Sequence, residues 1–209
     1  MRVLYEDNHL IAVWKDAGLL TQSAVSGDDN LLERVREYLK VTYAKPGNVF
    51  VGLLHRLDRN VSGIVLFAKT SKGAARLSEQ IRAGKMKKIY HATVVGRMPE
   101  KGVLTHHMKK DEGRRVAEVF DTAKPGTKDA RLTFETVTST SETSVVRVHL
   151  QTGRFHQIRA QFAHIGHPLL GDVKYGGPKS KDGMIALTAT GLSFETATGG
   201  KKIELTERA

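Results

Sequence analysis

The sequence of 209 residues contains no cysteine, one tryptophan and only five prolines. Without cysteine the chain can form no disulfide, thiolate nucleophile or cysteine-ligated metal site, which is compatible with a reducing cytosol. No segment contains the run of about 20 apolar residues that a membrane-spanning helix needs. The residues after Met1 lack the apolar core of a secretory signal. We therefore expect a cytoplasmic protein with no membrane partner.

Positive charge is abundant. Lys and Arg number 33 against 22 Asp and Glu, which gives a formal net charge of +11 and a pI near 9.9. Such an excess predicts a polyanionic partner, most simply nucleic acid, but it does not identify which one. A protein that is basic without a specific partner is the alternative.

The length allows one domain or two small ones. We find no internal repeat, low-complexity tract or linker, so we expect one compact domain over residues 1–209. Hydrophobic periodicity predicts three helices. The first follows Asn30, which forms a capping box with Glu33; the second begins at Ser71 and stops near Gly84; the third spans about residues 155–165.

The other short apolar runs predict strands, most of them separated by tight turns. The β-prone runs at 3–5 and 10–14 indicate a hairpin, and residues 23–29 indicate a flexible loop. The four successive runs that predict an antiparallel meander are residues 103–108, 115–120, 130–138 and 144–150. The runs that predict three strands in the tail are residues 185–190, 192–196 and 202–205.

One charged stretch precedes a buried, β-prone run at residues 64–68. Asp58 stands between Arg56 and Arg59, and these cations favour its ionised form. A carboxylate on a loop that a buried strand holds in place can be catalytic. An ion-paired aspartate with a structural role explains the local sequence at least as well, and on these residues alone we favour it.

Three motifs change that balance. Residues 55–58 read His-Arg-Leu-Asp and are followed by Ser62 and Gly63; residues 153–159 read Gly-Arg-Phe-His-Gln-Ile-Arg, with His-Ile-Gly-His-Pro-Leu-Leu-Gly-Asp at 164–172. Between them, Lys88 and Tyr90 precede an Ala-x-Val-x-Gly pattern. In this order the motifs resemble those of the RluA-type pseudouridine synthases. The first and last are long and stand roughly a hundred residues apart in the family's order, which makes a chance match very improbable.

The resemblance implies an α+β protein with the pseudouridine synthase fold, a central, mixed but mostly antiparallel sheet flanked by helices. Residues 1–209 would form the catalytic domain alone, because no segment is long enough for the S4 RNA-binding module that many family members carry. The implied activity is that of an isomerase, an RNA pseudouridine synthase that converts specific uridines of structured ribosomal or transfer RNA. The family chemistry needs neither cofactor nor metal, and we expect a monomer.

The same resemblance assigns roles to individual residues. Asp58 would be the catalytic carboxylate, Tyr90 would stack on the detached base, and Arg154 would pair with Asp58. The residues expected to contact the substrate are His55, Arg56, Leu57, Lys88, His156, Gln157, Ile158 and Arg159. Arg154 is also predicted at the start of the third helix, where the macrodipole disfavours a cation, which suggests a specific anionic partner.

The sequence departs from the family pattern at three places. Asp16 replaces the proline of a Lys-Pro-x-Gly motif, Asn60 and Val61 stand where Asp-Thr is usual, and Gln161 stands where histidine is common. None is an expected catalytic position. The departures concern the geometry of the loops and the details of the substrate.

Other interpretations remain at this stage. Tyr90 could be an ordinary core tyrosine, and Arg154 could face solvent or RNA. His55, Asp58 and His156 could form an acid–base or metal set, although the sequence has no HExxH or DxD pattern. The whole protein could also be a non-catalytic RNA-binding or ribosome-assembly protein that keeps the synthase fold.

Overall fold

The computed structural model describes residues 1–23 and 28–208. They form two compact units, one of Met1–Met86 with Thr190–Arg208 and one of Lys87–Ala189. Residues 24–27 of the predicted loop lie outside the described residues. Whether the chain acts as one catalytic domain stays a prediction. In the part of the chain that the structure describes, no helix has the length and apolarity to cross a membrane.

The elements are those of an α+β protein, as predicted. The strands are β1 Val3–Glu6, β2 Leu10–Lys15, β3 Gly52–Leu53, β4 Ser62–Ala68, β5 Lys87–Val95, β6 Lys101–Asp111, β7 Val116–Phe120, β8 Lys128–Ser139, β9 Thr143–Leu150, β10 Leu187–Glu195 and β11 Lys202–Thr206. The helices are α1 Leu31–Thr42, α2 Ser71–Arg82 and α3 Gln157–His164, with a short 3₁₀ turn at Val173–Tyr175.

In the first unit the strands follow the order β1-β2-β4-β10, with β11 beside β10 and β3 beside β4. The β1–β2 hairpin is confirmed, and β2 pairs antiparallel with β4. Asn30 accepts a hydrogen bond from the Glu33 amide (3.1 Å), so the predicted cap of α1 is confirmed. The apolar faces of β2, β4 and α2 form a core that includes Leu10, Leu66 and Leu77. This core fixes the strand that follows the Asp58 loop.

In the second unit the strand order is β5-β9-β8-β6-β7 and every pairing is antiparallel. The four strands predicted as a meander are present, but their order is wrong. β8 pairs with β6, and β7 lies at the outer edge of β6 instead of between them. The long strands β6 and β8 share eight paired positions, from Lys101–Glu135 to Met108–Lys128, and this register leaves β7 on the free side of β6.

Two further boundaries differ from the prediction. β10 runs without interruption through Gly191, which pairs with Thr206, so the two strands predicted at 185–190 and 192–196 are one. α3 begins at Gln157, because His156 before it has a left-handed backbone (φ 50°). Arg154 therefore lies in a turn ahead of the helix, and the macrodipole argument for its partner no longer applies.

Candidate active site

Asp58 lies on a turn of the first unit that is held at both ends. The Leu57 amide donates to Thr21 Oγ1 (3.2 Å), and Thr21 Oγ1 donates in turn to the Leu57 carbonyl (2.8 Å). On the other side, the Val61 amide donates to the Asp58 carbonyl (3.1 Å). Leu57 and Val61 are both buried. The backbone that carries the half-buried Asp58 is thus fixed by one side-chain clamp and two apolar anchors.

The two residues at the beginning of this motif have different surroundings. The Leu66 amide of β4 donates to His55 Nε2 (3.1 Å), so a neutral His55 carries its proton on Nδ1. This contact ties the start of the loop to the buried strand. Arg56 is exposed. His55 thus has a structural role besides the substrate contact predicted for it, whereas Arg56 is open to a ligand.

Lys15 is a site residue whose role the sequence did not reveal. It is completely buried at the end of β2, and its Nζ donates to the carbonyls of Asp16 (3.0 Å), Leu19 (2.7 Å) and Arg59 (3.1 Å). Burial lowers the pKa of Lys15 to about 8, against the opposing attraction of Asp58 and Asp16. The family-like Lys-x-x-Gly pattern was the available signal. The structure shows what it does: a buried ammonium holds the backbone beside Asp58 and interacts electrostatically with its carboxylate.

Tyr90 and Lys88 lie on β5 of the second unit, two residues apart and on the same face of the strand. Tyr90 is 7% exposed and shares its face with buried Ala92 and Val94, as the alternation predicts. It is opposite Val148 of β9. Burial lowers the pKa of Lys88. The strand therefore presents an aromatic ring and a desolvated amine side by side.

Arg154 is exposed, and a buried amide fixes its turn. Gln157 Oε1 accepts from the Arg154 amide (3.0 Å), while Gln157 Nε2 donates to the Arg131 carbonyl (3.2 Å). The side chain of Arg154 donates through Nε to the Asp129 carbonyl (2.7 Å). Of the roles considered above, this exposed position beside β8 favours an RNA-facing arginine. Its pairing with Asp58 stays a prediction.

Arg159, by contrast, is buried. Its Nε and Nη2 donate to the two carboxylate oxygens of Asp172 (2.6 and 2.8 Å), and the guanidinium lies 5.1 Å from the centre of the Tyr175 ring. Arg159 and Asp172 are 6% and 1% exposed. Ile158 beside it is also buried, and His156 Nδ1 lies 2.9 Å from the Tyr175 hydroxyl. These three residues were predicted to contact substrate. The structure also gives Arg159 and His156 contacts with Tyr175 and buries Ile158.

A second polar network lies behind α3. Gln157 Nε2 donates to Gln161 Oε1 (3.0 Å), and Gln161 Nε2 then faces His106 Nδ1 (2.9 Å) and the Ala130 carbonyl (3.2 Å). The Arg154 amide and the Arg131 carbonyl fix the orientation of the Gln157 side-chain amide. Gln157 Nε2 then faces Gln161 Oε1, so it is Gln161 Nε2 that faces His106. His106 Nδ1 must accept, so a neutral His106 carries its proton on Nε2. Gln161, which stands where histidine is common in the family, is completely buried. Both ends of its side-chain amide have hydrogen-bond partners.

His106 also belongs to a group of possible metal ligands. Among residues 1–23 and 28–208, one donor atom each of His106, Asp121 and His164 lies within 4.8 Å of the others. Asp121 Oδ1 is 2.8 Å from His164 Nε2 and 3.9 Å from His106 Nε2. With its proton on Nε2, His106 turns an N–H toward Asp121, at a distance too long for a hydrogen bond, and offers no lone pair to a metal there. The arrangement fits a hydrogen-bonded His164–Asp121 pair beside His106 better than a metal centre.

Comparisons with known proteins agree with the motifs. The sequence model of the RNA pseudouridylate synthase family matches residues 9–164. The chain is 32% identical to ribosomal large subunit pseudouridine synthase C of Buchnera aphidicola subsp. Schizaphis graminum, over 97% of this chain and 65% of the relative. It is 33% identical to ribosomal large subunit pseudouridine synthase D of Pseudomonas aeruginosa, over 85% and 54%. The chain thus spans between about half and two thirds of the length of these relatives.

The fold agrees as well. The solved structure of human RNA pseudouridylate synthase domain containing 4 superposes with a TM-score of 0.80, over 99% of this chain and 88% of that chain, at 20% identity. The solved structure of human RNA pseudouridylate synthase domain containing 1 gives a TM-score of 0.76 at the same identity, over 100% of this chain and 83% of that chain. At this identity the likeness establishes the pseudouridine synthase fold, while the family match rests on the sequence over most of the chain. The chain belongs to the RNA pseudouridylate synthase family.

Proposed function

We propose that the protein is an RNA pseudouridine synthase in which Asp58 is the catalytic carboxylate. The observation that carries this proposal is the fixed turn of Asp58, clamped by Thr21 and held from beneath by the buried ammonium of Lys15. A protein gains little structurally from burying a lysine to fix the backbone beside a half-exposed carboxylate. For a catalytic carboxylate, such preorganisation of geometry and charge is what the chemistry requires.

The reaction is an internal rearrangement that conserves atoms and electrons. The bond from the sugar C1′ to the base nitrogen breaks and its electron pair stays on that nitrogen. The base turns and C1′ bonds to carbon 5. The proton of carbon 5 is released and the freed nitrogen takes up a proton. Asp58 serves as the anion that attacks or stabilises the sugar or the base during cleavage. Tyr90 stacks on the detached base while it turns, and Lys88 lies on the same strand face.

The target uridine has to leave its stack to reach a side chain on a loop, so base flipping is part of the proposal. Arg56, whose exposure supports this role, would enter the vacated space. We assign Arg154 to the RNA backbone because its side chain is exposed and held on the Asp129 carbonyl. His55 and Leu57 then hold the Asp58 loop within the first unit.

The substrate class follows from the net charge of +11 and from relatives named as synthases of the ribosomal large subunit. Another relative, 28% identical over 100% of this chain and 59% of its own length, is named tRNA pseudouridine synthase C, of Pectobacterium carotovorum subsp. carotovorum. We therefore propose structured RNA, ribosomal or transfer, as the substrate. A cytoplasmic location and a monomeric state remain predictions.

Mapping of pseudouridines in cellular RNA, with and without the gene, tests the function. The proposal expects at least one position to lose its modification in the deletion strain and to regain it with the wild-type gene. The Asp58→Asn gene is the matched control and should restore nothing. An unchanged map in the deletion strain would favour the alternative, a non-catalytic RNA-binding or ribosome-assembly protein.

A further inference from the structure

The second unit contains a cleft of about 280 Å³ whose charged lining is entirely cationic. It lies between the end of β6, the start of β8 and the turn that carries Arg154. Its charged lining residues are Lys109, Lys110, Lys128 and Arg154, and no carboxylate lines it. We call it the cationic cleft.

Most of these charges are not neutralised. Within residues 1–23 and 28–208, no carboxylate forms an ion pair with Lys109, Lys128 or Arg154, whereas Lys110 pairs with Glu112 (2.5 Å). Asp129 follows Lys128 in the sequence, but its carboxylate contacts His107 Nδ1 (3.0 Å). Arg154 contacts only the backbone carbonyl of Asp129. Three uncompensated cations at one small cleft repel each other, so a bound anion would relieve a repulsion already present in the protein.

The shape of the cleft leaves room for that anion. At Gly153 an added Cβ would meet nothing within 4 Å, so the turn beside Arg154 borders open space. At Gly126 an added Cβ would lie 3.8 Å from Cε of Lys109, which shows that the lysine stem lies over the 125–126 turn. Lys109 and Gly126 both line the cleft, so the lysine stem and the turn that it covers border the same space.

Phe155, the aromatic residue that lines the cleft, indicates which part of a nucleotide binds there. His156 stacks on Phe155 with ring centres 3.7 Å apart, and Lys110 Nζ lies 5.0 Å over the same ring. The Phe155 ring thus already has a histidine ring and an ammonium against it, so it is a poor stacking platform for a base. A phosphate group, by contrast, can bind through the lysine and arginine charges without any aromatic platform.

We propose that the cationic cleft binds one backbone phosphate of the RNA substrate through Lys109, Lys128 and the Nη groups of Arg154. This proposal rests on the proposed function for the identity of the anion. It assigns the cleft to backbone positioning and not to recognition of a base. Both lysines are exposed, so each can be replaced without opening a buried cavity.

The test is the salt dependence of binding to a fluorescein-labelled oligouridylate, followed by fluorescence anisotropy. For single strands each phosphate contact contributes a slope of about 0.7 in log affinity against log salt. The Lys109→Ala/Lys128→Ala variant should lose about 0.7 of slope. Extrapolated from ~1 M to ~0.05 M salt, a twentyfold change, that slope amounts to an affinity about eightfold weaker.

Lys101→Ala is the matched control, because Lys101 is an exposed lysine at the other end of the same strand and lies outside the cleft. It should keep the wild-type slope. Lys109→Arg/Lys128→Arg keeps both charges and should bind like the wild type. An unchanged slope in the double alanine variant, or an equal loss in the Lys101 control, would overturn the proposal.

Release of tritium from uridine labelled at carbon 5 separates this proposal from the function itself. Wild-type turnover together with an unchanged slope in the double variant refutes the cleft and leaves the synthase function intact. A slope that depends on the cleft, in a wild-type protein that releases no tritium from cellular RNA, supports the cleft and refutes the synthase.

Discussion

Lys15 should make the protein more stable as the pH rises through the alkaline range. Burial lowers the pKa of Lys15 from 10.5 to about 8 in the folded chain. Between about pH 8 and pH 10 the unfolded chain keeps this proton while the folded chain has lost it. The unfolded state then binds more protons, so the free energy of unfolding increases with pH. Two pH units of this difference correspond to about 3 kcal/mol.

The measurement is urea unfolding of the wild type and of Lys15→Met at about pH 7 and pH 10. Methionine is unbranched and fills most of the lysine volume without a charge, and all other titrating groups are common to both proteins. The difference in unfolding free energy, wild type minus variant, should grow by roughly 2–3 kcal/mol between the two pH values. A difference that stays constant with pH would refute a desolvated ammonium beneath the Asp58 loop.

Substitutions at three other residues test separate parts of the structure. Arg154→Lys should leave single-turnover rates near wild type and Arg154→Ala should weaken RNA binding; normal binding with a collapsed rate would instead support pairing with Asp58. Asp172→Asn should lower the free energy of unfolding by about 3–5 kcal/mol in urea titrations, because Arg159 then keeps a buried charge without its bidentate partner. Gln161→Met should lower the free energy of unfolding by about 2–4 kcal/mol, because buried hydrogen-bond partners are left unpaired. In nitrogen NMR of the histidine rings it should change which ring nitrogen of a neutral His106 carries the proton.

Much of the fold could be predicted because local signals coincide with tertiary ones. The cap at Asn30 is satisfied by the Glu33 amide three residues on, so α1 could be placed from its first turn. The alternation around Tyr90 gave the buried face of β5. The order of β6, β7 and β8 could not be predicted in this way, because pairing between distant strands depends on the register of long-range contacts.

The candidate site was predictable where a motif names a residue and not where tertiary contacts decide its environment. The resemblance predicts Asp58 and Tyr90 as site residues, but nothing in the sequence distinguishes exposed Arg154 from buried Arg159. Their different surroundings arise from Asp129 on β8 and from Asp172 beyond α3. The role of Lys15 was hidden for the same reason. Two of its three carbonyl partners, Asp16 and Leu19, lie close in sequence, but the third, Arg59, is distant and brings the lysine to the Asp58 loop.

The central claim is that the charge of Asp58 is needed for isomerisation. The most direct measurement is tritium release from RNA carrying uridine labelled at carbon 5, with wild type, Asp58→Asn and the exposed-carboxylate control Asp28→Asn. Asparagine keeps the shape and removes the charge, so we predict background release by Asp58→Asn, wild-type release by Asp28→Asn, and unchanged RNA affinity for both. Turnover near the wild-type rate in Asp58→Asn would contradict the account.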